Sequence, residues 1–254
     1  MLKTNTFLFT SALLLASASV HANANDTVMQ RYTEPKVQWG MSLGVNRYTE
    51  PKMQLLGTEV GVHARLSGIS NLPNWQFEGD VSLGRQKYTS TDTGNLDGVL
   101  NVETRWRALA PIYRTGAAGQ EGLSGGLGLH TLWNDLRGRT STNYAGYERL
   151  ATQIWLPVRW TSANAWELEG GLLLRGTHTS RLSQANAANA DIRNTQTNGA
   201  YLQANTRFKL DDGTSLSPFV RVTRLGDSDT VRSNGQSWFE PKSTRWQIGA
   251  VLNF

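Results

Sequence analysis

The chain has 254 residues and a formal net charge of +5 at pH 7, with 18% charged and 39% hydrophobic residues. Cysteine is absent, which excludes disulfide bonds and thiolate chemistry. The mean hydropathy of −0.41 gives no sign of a helical membrane protein, although such an average does not detect membrane strands, whose lipid-facing and lumen-facing residues alternate. Basic and acidic residues are interspersed, so the positive charge does not predict a nucleic-acid partner.

The first 22 residues have the pattern of a secretory signal peptide. Lys3 precedes an apolar run over residues 7–16, and small residues follow up to Val20-His21-Ala22. An apolar run of about ten residues is too short to span a bilayer as a helix. We predict cleavage after Ala22, with Ala24 as the alternative, and a short periplasmic segment over residues 23–36. The competing interpretation is a buried N-terminal helix.

After this segment, apolar and polar residues alternate in about ten stretches, each of which predicts a β-strand with one apolar and one polar face. In the second stretch, Val60 and Val62 share one face, while Glu59 and His63 share the other. The predicted strands lie at residues 37–48, 53–66, 75–83, 100–107, 123–133, 150–160, 166–175, 200–208, 215–224 and 243–254.

The aromatic residues indicate which face is outside. A soluble lipocalin-like barrel, the competing interpretation, would turn its apolar face inward. If the N-terminus lies in the periplasm, seven aromatic residues of the apolar face fall at the periplasmic rim, as in the aromatic girdle of a membrane barrel. They are Trp39, Trp75, Trp106, Trp160, Trp166, Phe208 and Phe254. The predicted fold class is therefore all-β, a transmembrane antiparallel up-and-down β-barrel of about ten strands over residues 37–254.

The last predicted strand is apolar at every second position. Its alternate positions are apolar up to the final residue, namely Trp246, Ile248, Ala250, Leu252 and Phe254. This stretch resembles the C-terminal strand of bacterial outer-membrane β-barrels. The resemblance implies an outer-membrane location, contact with outer-membrane lipid and lipopolysaccharide, and recognition of this strand by the barrel-insertion machinery.

The predicted connections are short at one end of the barrel and longer at the other, which is typical of membrane barrels. The periplasmic connections are predicted at residues 67–74, 111–120, 161–165 and 210–214. The outer ones are predicted at residues 86–96, 137–147, 176–195 and 226–241, with a tight turn at residues 49–52 as the exception.

The polar faces of the strands carry acids and bases that would point into the lumen. The predicted lumen network consists of Glu59, His63, Arg65, Glu78, Asp80, Glu103, Arg105, Arg107, Glu167, Glu169, Arg207 and Arg221. His130, Arg159, Arg175 and Arg245 fall on the same polar faces. Because a barrel of about ten strands is narrow, we expect these side chains to pair across it and plug it. The alternative is a narrow path that favours anions.

Candidate catalytic residues occur only in the predicted outer loops. Asp227, Asp229 and His178 could suggest an omptin-like protease, but no Asp-x-His follows the Asp-x-Asp. His178-Thr179-Ser180 could suggest a lipid A or phospholipid hydrolase, although a single histidine among hydroxyl residues is more typical of a solvated loop. No metal-ligand cluster, phosphate-binding glycine loop or calcium-loop pattern is found. We predict no catalytic residues, cofactor or metal.

A short repeat recurs along the chain. Arg31-Tyr32-Thr33-Glu34-Pro35-Lys36 returns as residues 47–52, and Phe239-Glu240-Pro241-Lys242 echoes it before the last strand. Its spacing is too short for a solenoid, so we interpret it as local duplication of a strand and turn. The alternative is that the first copy folds into the periplasmic mouth.

Three further motifs are Tyr48-Thr49-Glu50-Pro51 with Met53 and Gly57, Trp133-Asn134-Asp135, and Gly146-Tyr147-Glu148-Arg149 before Ile154-Trp155-Leu156-Pro157-Val158. They resemble a poorly characterised group of bacterial outer-membrane β-barrel proteins within the outer-membrane β-barrel superfamily. The resemblance implies the barrel fold and transfers no catalytic residue. Pro157 predicts a bulge or a missing ladder bond.

Together these observations predict a non-enzymatic outer-membrane surface protein. It would be either a narrow, porin-like channel or a structural or adhesive barrel whose outer loops hold an extracellular ligand. The alternative from another class is a hydrolase at the outer rim.

Overall fold

The computed structural model describes residues 35–69, 72–115, 121–210 and 213–254, without the side chain of Pro73. The predicted signal peptide, its cleavage sites and most of the first repeat copy lie outside these residues. Within them, no helix is long and apolar enough to cross a membrane.

Antiparallel strands dominate the described chain because the period-two pattern continues through almost all of it. The strands are β1 (Lys36–Glu50), β2 (Met53–Ile69), β3 (Leu72–Ser90), β4 (Gly94–Thr115), β5 (Glu121–Asp135), β6 (Glu148–Thr161), β7 (Trp166–Ser180), β8 (Ile192–Gln196), β9 (Gly199–Thr206), β10 (Phe208–Lys209), β11 (Ser215–Leu225), β12 (Val231–Ser233), β13 (Gln236–Trp238) and β14 (Ser243–Asn253).

Ten strand positions form the wall of a closed barrel in the part of the chain that is described. Strands β1 to β7 pair in sequence order. Three short strands share the next position of the wall: β8 and β9 pair with β7, and β9 and β10 pair with β11. The last strand closes the barrel, since β14 pairs with β11 on one side and with β1 on the other. The predicted all-β, up-and-down barrel is confirmed.

The barrel is inverted relative to a soluble one. Met41, Leu43 and Ile248 on the outside are 61–63% exposed, whereas Glu103 and Glu169 on the inside are 1–2% exposed. An apolar outer surface that continues around the barrel wall has no stable place in water, and a lipid bilayer supplies the environment that it needs. The chain is therefore a membrane-spanning barrel, and the soluble lipocalin-like alternative is wrong.

The two ends of the barrel differ as predicted, but four loop boundaries are wrong. The predicted connections at residues 67–74 and 111–120 overlap strands, because β2 continues to Ile69, β3 begins at Leu72 and β4 continues to Thr115. At one end, called the turn end, the chain reverses at residues 162–165, and Leu210 donates its N–H to the carbonyl of Thr214. At the other, called the loop end, lie residues 136–147, 181–191 and 226–242, the last with the β12–β13 hairpin.

The predicted outer loop at residues 86–96 is instead mostly strand, because pairing of β3 with β4 continues to Ser90 and Gly94. The predicted loop at residues 176–195 begins only after Ser180, so His178 lies within β7. In both places backbone pairing continues beyond the apolar part of the strand.

The predicted orientation of Arg175 is wrong, because the pairing between β6 and β7 is irregular. The register shifts between Ile154 and Trp155, where Ile154 pairs with Arg175 and Trp155 with Leu173. The extra residue turns Arg175 outward instead of into the lumen. Pro157 itself pairs with Gly171, while the pairing of β5 with β6 is interrupted between Val158 and Trp155, as expected beside a proline.

Candidate functional site in the lumen and at the loop end

One ion-pair cluster crosses the lumen from β3 to β6 and β7. Arg159 donates to both carboxylate oxygens of Glu78, with Nη1–Oε1 and Nη2–Oε2 distances of 2.5 and 2.6 Å, and its Nε lies 2.8 Å from Glu169 Oε2. Arg107 on β4 extends the cluster to Glu169 at 3.1 Å and to Asp80 at 2.8 Å. The forked geometry of arginine suits such shared carboxylates, and the partners are nearly or fully buried except Asp80, whose side chain is 27% exposed.

A second cluster lies around Glu103 and reaches the closing strand. Arg245 on β14 and Arg105 on β4 both donate to Glu103, and His130 Nε2 lies 2.7 Å from its Oε1. Gln247 Nε2 donates to Glu103 at 3.0 Å and to Glu59 at 2.9 Å. The polar network therefore connects β14 with β2, β4 and β5 across the interior.

The predicted lumen residues divide into a large connected set and two exceptions. Ten of the twelve join the clusters, including Arg65, which contacts Glu78 at 2.7 Å and Glu167 at 3.2 Å, and His63, which contacts Asp80 at 2.7 Å. Arg207 reaches only Gln38, at 3.4 Å, and Arg221 makes neither a hydrogen bond nor an ion pair among the described residues.

Sequence reasoning placed Arg159, Arg245 and His130 on the polar faces expected to pair across the lumen, and all three join the clusters. It gave no role in the network to Gln247 and Asn46. The alternation places all five on the polar faces, but an amide side chain gives no charge signal.

At the loop end, a third cluster forms the floor of a cavity of about 390 Å³, called the loop-end cavity. Arg149 at the start of β6 donates to Glu50 Oε1 at 2.5 Å and to Glu240 Oε2 at 2.7 Å. Tyr48 donates to Glu50 at 2.6 Å, and Ser180 donates to Glu240 at 2.9 Å. These bonds join β1, β6, β7 and the connection that precedes β14.

The Glu240 carboxyl is held in its charged form by this floor. Burial alone would raise its pKa, but the Arg149 guanidinium and then His178, whose Nδ1 lies 2.7 Å away, outweigh burial and hold the pKa well below its usual range. Glu240 therefore anchors the connection over residues 226–242 to the barrel wall.

The walls of the loop-end cavity are mostly apolar and aromatic. On one side they adjoin a small core of Leu55, Val99 and Leu136. On the other they include Leu182 and Ile192, which are 5% and 3% exposed. The apolar and aromatic lining consists of Met53, Tyr88, Leu96, Leu136, Tyr144, Tyr147, Leu182, Ile192, Trp238, Phe239 and Pro241.

The floor also gives the repeat a structural role. Glu50 belongs to the copy at residues 47–52, and Glu240 belongs to the echo at residues 239–242. The two glutamates meet on the single guanidinium of Arg149. The Glu-Pro echo was therefore a signal in the sequence for this contact, but only closure of the barrel brings the two copies together.

The candidate hydrolase residues do not form one site. Asp227 accepts the backbone N–H of Lys242 at 2.7 Å, and Asp229 accepts that of Thr195 at 2.6 Å, so both carboxylates hold loops. His178 is a buried residue of β7, and its acidic neighbour is Glu240. Ser180 donates to the same carboxylate and not to His178. Among the described residues, no group of three potential ligands could hold a metal ion.

The predicted girdle residues lie on the outward surface towards the turn end. Trp39, Trp106, Trp160, Trp166, Phe208 and Phe254 are 45–58% exposed. Trp75 is half-buried and stacks on Phe77 with ring centroids 6.1 Å apart. Phe254 donates its N–H to Trp39 O at 2.8 Å, whereas Trp246 faces outward nearer the loop end.

Comparisons with known proteins return structures and no families. No family model and no curated protein matches the sequence. The outer-membrane protease OmpT of Escherichia coli has 9% identity and a TM-score of 0.47, with 86% of this chain and 96% of that chain covered. Neisserial surface protein A has 6% identity and a TM-score of 0.38, with coverages of 87% and 98%.

A third similar structure is Ail, the attachment invasion locus protein of Yersinia pestis, with 10% identity, a TM-score of 0.29 and coverages of 86% and 99%. At such low scores, the assignment of the fold depends on the strand pairing and inverted polarity described above. These define a membrane-spanning up-and-down β-barrel.

Proposed function

We propose that this barrel is a non-enzymatic outer-membrane surface protein with a closed lumen, which binds a small uncharged amphipathic molecule in its loop-end cavity. The observation that carries the proposal is the contrast between the lumen and this cavity. Ion pairs fill the middle of the barrel, whereas the loop end leaves about 390 Å³ open above a polar floor.

The closed lumen follows from the number of charges that bridge it. A hydrated ion would have to displace buried guanidinium–carboxylate pairs such as Arg159–Glu78, and separating a buried pair leaves both charges uncompensated. This cost favours a surface protein over a narrow channel.

The class of ligand follows from the lining of the cavity. Its volume lies in the range of about 300–1,000 Å³ that is typical of small-molecule sites, which are mostly apolar with a few polar groups. The charges of the floor already compensate one another, because Arg149 is shared by Glu50 and Glu240. An uncharged polar head on an apolar body is therefore the best match.

Conductance in a planar lipid bilayer tests the closed lumen. We expect no current steps from the refolded protein when insertion is confirmed by heat-modifiable gel migration, with an open porin as the positive control. Steady steps in most insertions would overturn this part of the proposal and restore the narrow channel.

Native mass spectrometry of the refolded barrel with octyl glucoside, octanoate or octylamine tests the ligand class. We expect the uncharged glucoside to be retained with one-to-one stoichiometry. Ala145→Trp, which fills the cavity, should abolish retention, whereas Ala163→Trp in an exposed turn at the other end should not. Equal retention by both variants, or no retention by wild type, would contradict the ligand site.

The hydrolase alternative can be tested with the same preparation. Peptides and phospholipids would be assayed with wild type and with Asp227→Ala, Asp229→Ala and His178→Ala. Hydrolysis that one of these changes abolishes in an intact barrel would support an enzyme.

The outward surface has its own proposed partners, outer-membrane lipid and lipopolysaccharide. For the last strand, with Trp246, Ile248, Ala250, Leu252 and Phe254, the proposed partner is the barrel-insertion machinery. Replacement of Phe254 by Ser should reduce the assembled barrel in cells without reducing refolding in detergent.

A further inference from the structure

Arg221 on β11 is a buried arginine that forms no ion pair with a carboxylate of the described residues. Its side chain points into the lumen, and the residue is 6% exposed. It makes no hydrogen bond or ion pair with any described residue, and its Nε is fully buried without a partner. The side chain contacts the ring of Tyr201, whose centroid lies 5.6 Å from the guanidinium carbon. A buried charge normally has a partner, so this arrangement is incomplete.

The neighbours of Arg221 explain why no carboxylate reaches it. The residues opposite it on the adjacent strands are Gln203 and Gln247, and both are neutral. The acid nearest along this part of the wall is Glu169, which faces Gln203 from β7. Its Oε1 already accepts from Arg107 and Tyr201, and its Oε2 accepts twice from Arg159.

Space for a ligand adjoins this arginine. Arg221 lines a cavity of about 80 Å³ in the lumen and a second one of about 30 Å³. One water molecule needs about 10–15 Å³ by the same measure, so the larger cavity has room for a small ion and a few waters. The terminal nitrogens of Arg221 are not among the fully buried unpartnered atoms, which leaves them open to these cavities.

We propose that Arg221 binds a small inorganic anion of the size of chloride inside the barrel. Tyr201 covers the face of the guanidinium by a cation–π contact, and the Nη edge is left for the anion. This site is independent of the loop-end cavity and of the closed lumen, since a resident ion completes the charge balance of the lumen without passing through it.

Thermal unfolding of the refolded barrel in sodium chloride and in sodium gluconate, at equal sodium concentration, tests the site. An anion that binds only the folded barrel raises its unfolding midpoint. A shift of about 2–4 °C is expected once chloride is at about five times its Kd. Gluconate is too large for the cavity and should give no shift.

Arg221→Gln should remove the difference between the two salts. Arg224→Gln is the matched control, because Arg224 lies on the same strand, carries the same charge and is exposed on the outer surface. It should retain the full difference. An equal chloride effect in wild type and Arg221→Gln, or none in wild type, would overturn the proposal.

A crystal of wild-type protein soaked in sodium bromide gives a test that needs no variant to fold. An anomalous peak within hydrogen-bonding distance of the Arg221 Nη atoms is expected. Absence of this peak, when bromide is found elsewhere in the same crystal, would count against the site.

Discussion

An arginine shared by two glutamates occurs both in the lumen, where Arg159 is one of several, and at the loop end, where it is Arg149. The surroundings differ between the two places. In the lumen, Arg159 between Glu78 and Glu169 is enclosed by further ion pairs. At the loop end, Arg149 between Glu50 and Glu240 lies below an open cavity with apolar walls. In both places the shared arginine joins separate segments of the chain. What differs is the space left beside it, and only the loop end leaves enough for a small molecule.

The largest expected effect belongs to Arg159 in the lumen. Arg159→Gln leaves Glu78 and Glu169 with fewer partners in the interior, and breaking a buried pair by removing one partner costs about 3–5 kcal/mol. Urea unfolding of the barrel in lipid vesicles measures this loss. Glu78→Gln combined with Arg159→Gln removes opposite charges and should recover part of the stability. If the double variant were less stable by the sum of the single effects, the pair would not be coupled.

A smaller effect is expected from Arg149 at the loop end. Arg149→Gln removes the guanidinium that joins β1 to the connection over residues 226–242, while much of the barrel wall is untouched. Hydrogen bonds to charged groups contribute about 1.5–3 kcal/mol each, and solvent in the cavity should reduce this. Limited proteolysis should cut this connection faster in Arg149→Gln than in Arg159→Gln. The reverse order would contradict the view that Arg159 stabilises the barrel wall and Arg149 holds the connection.

The sequence predicted the wall far better than the contacts. Alternation is a local property, so strands and their inward faces could be assigned one by one, and the positions of Glu78 and Glu169 followed from it. The orientation of Arg175 could not be assigned, because one extra residue at the irregularity beside Ile154 reverses the alternation.

The contacts that a side chain makes were less predictable than the face of the strand on which it lies. Glu50, Arg149 and Glu240 are brought together by barrel closure and by the path of a loop, which no local pattern encodes. The same limit explains why His178 was assigned to a loop. Its Thr- and Ser-rich surroundings are typical of loops, whereas pairing with Ala151 on β6 keeps it in a strand.

Acid should weaken the contact that anchors the loop end to the barrel wall. The pKa of Glu240 lies below that of an unfolded glutamate, whose ordinary value is 4.5. Its contribution to stability is therefore complete above that value and decreases as pH falls through the lowered pKa of the folded state. Cleavage within residues 226–242 by an acid protease should rise as pH falls below 4.5 in wild type. Relative to cleavage of an unfolded control substrate, Glu240→Gln should show no such rise, and a rise equal to that of wild type would contradict this anchor.

The smallest effect on stability is expected from an ion pair that is exposed to solvent and belongs to no cluster. Lys52 and Asp92 lie 2.8 Å apart at the tips of two turns, with side chains that are 71% and 52% exposed. Water and salt screen such a pair, so Lys52→Ala should leave the urea midpoint unchanged within error, as should Lys52→Gln. If either change destabilised the barrel as much as Arg149→Gln, burial would not explain why the arginine clusters contribute more to stability than an exposed ion pair. The difference in stability would then have to rest on charge alone.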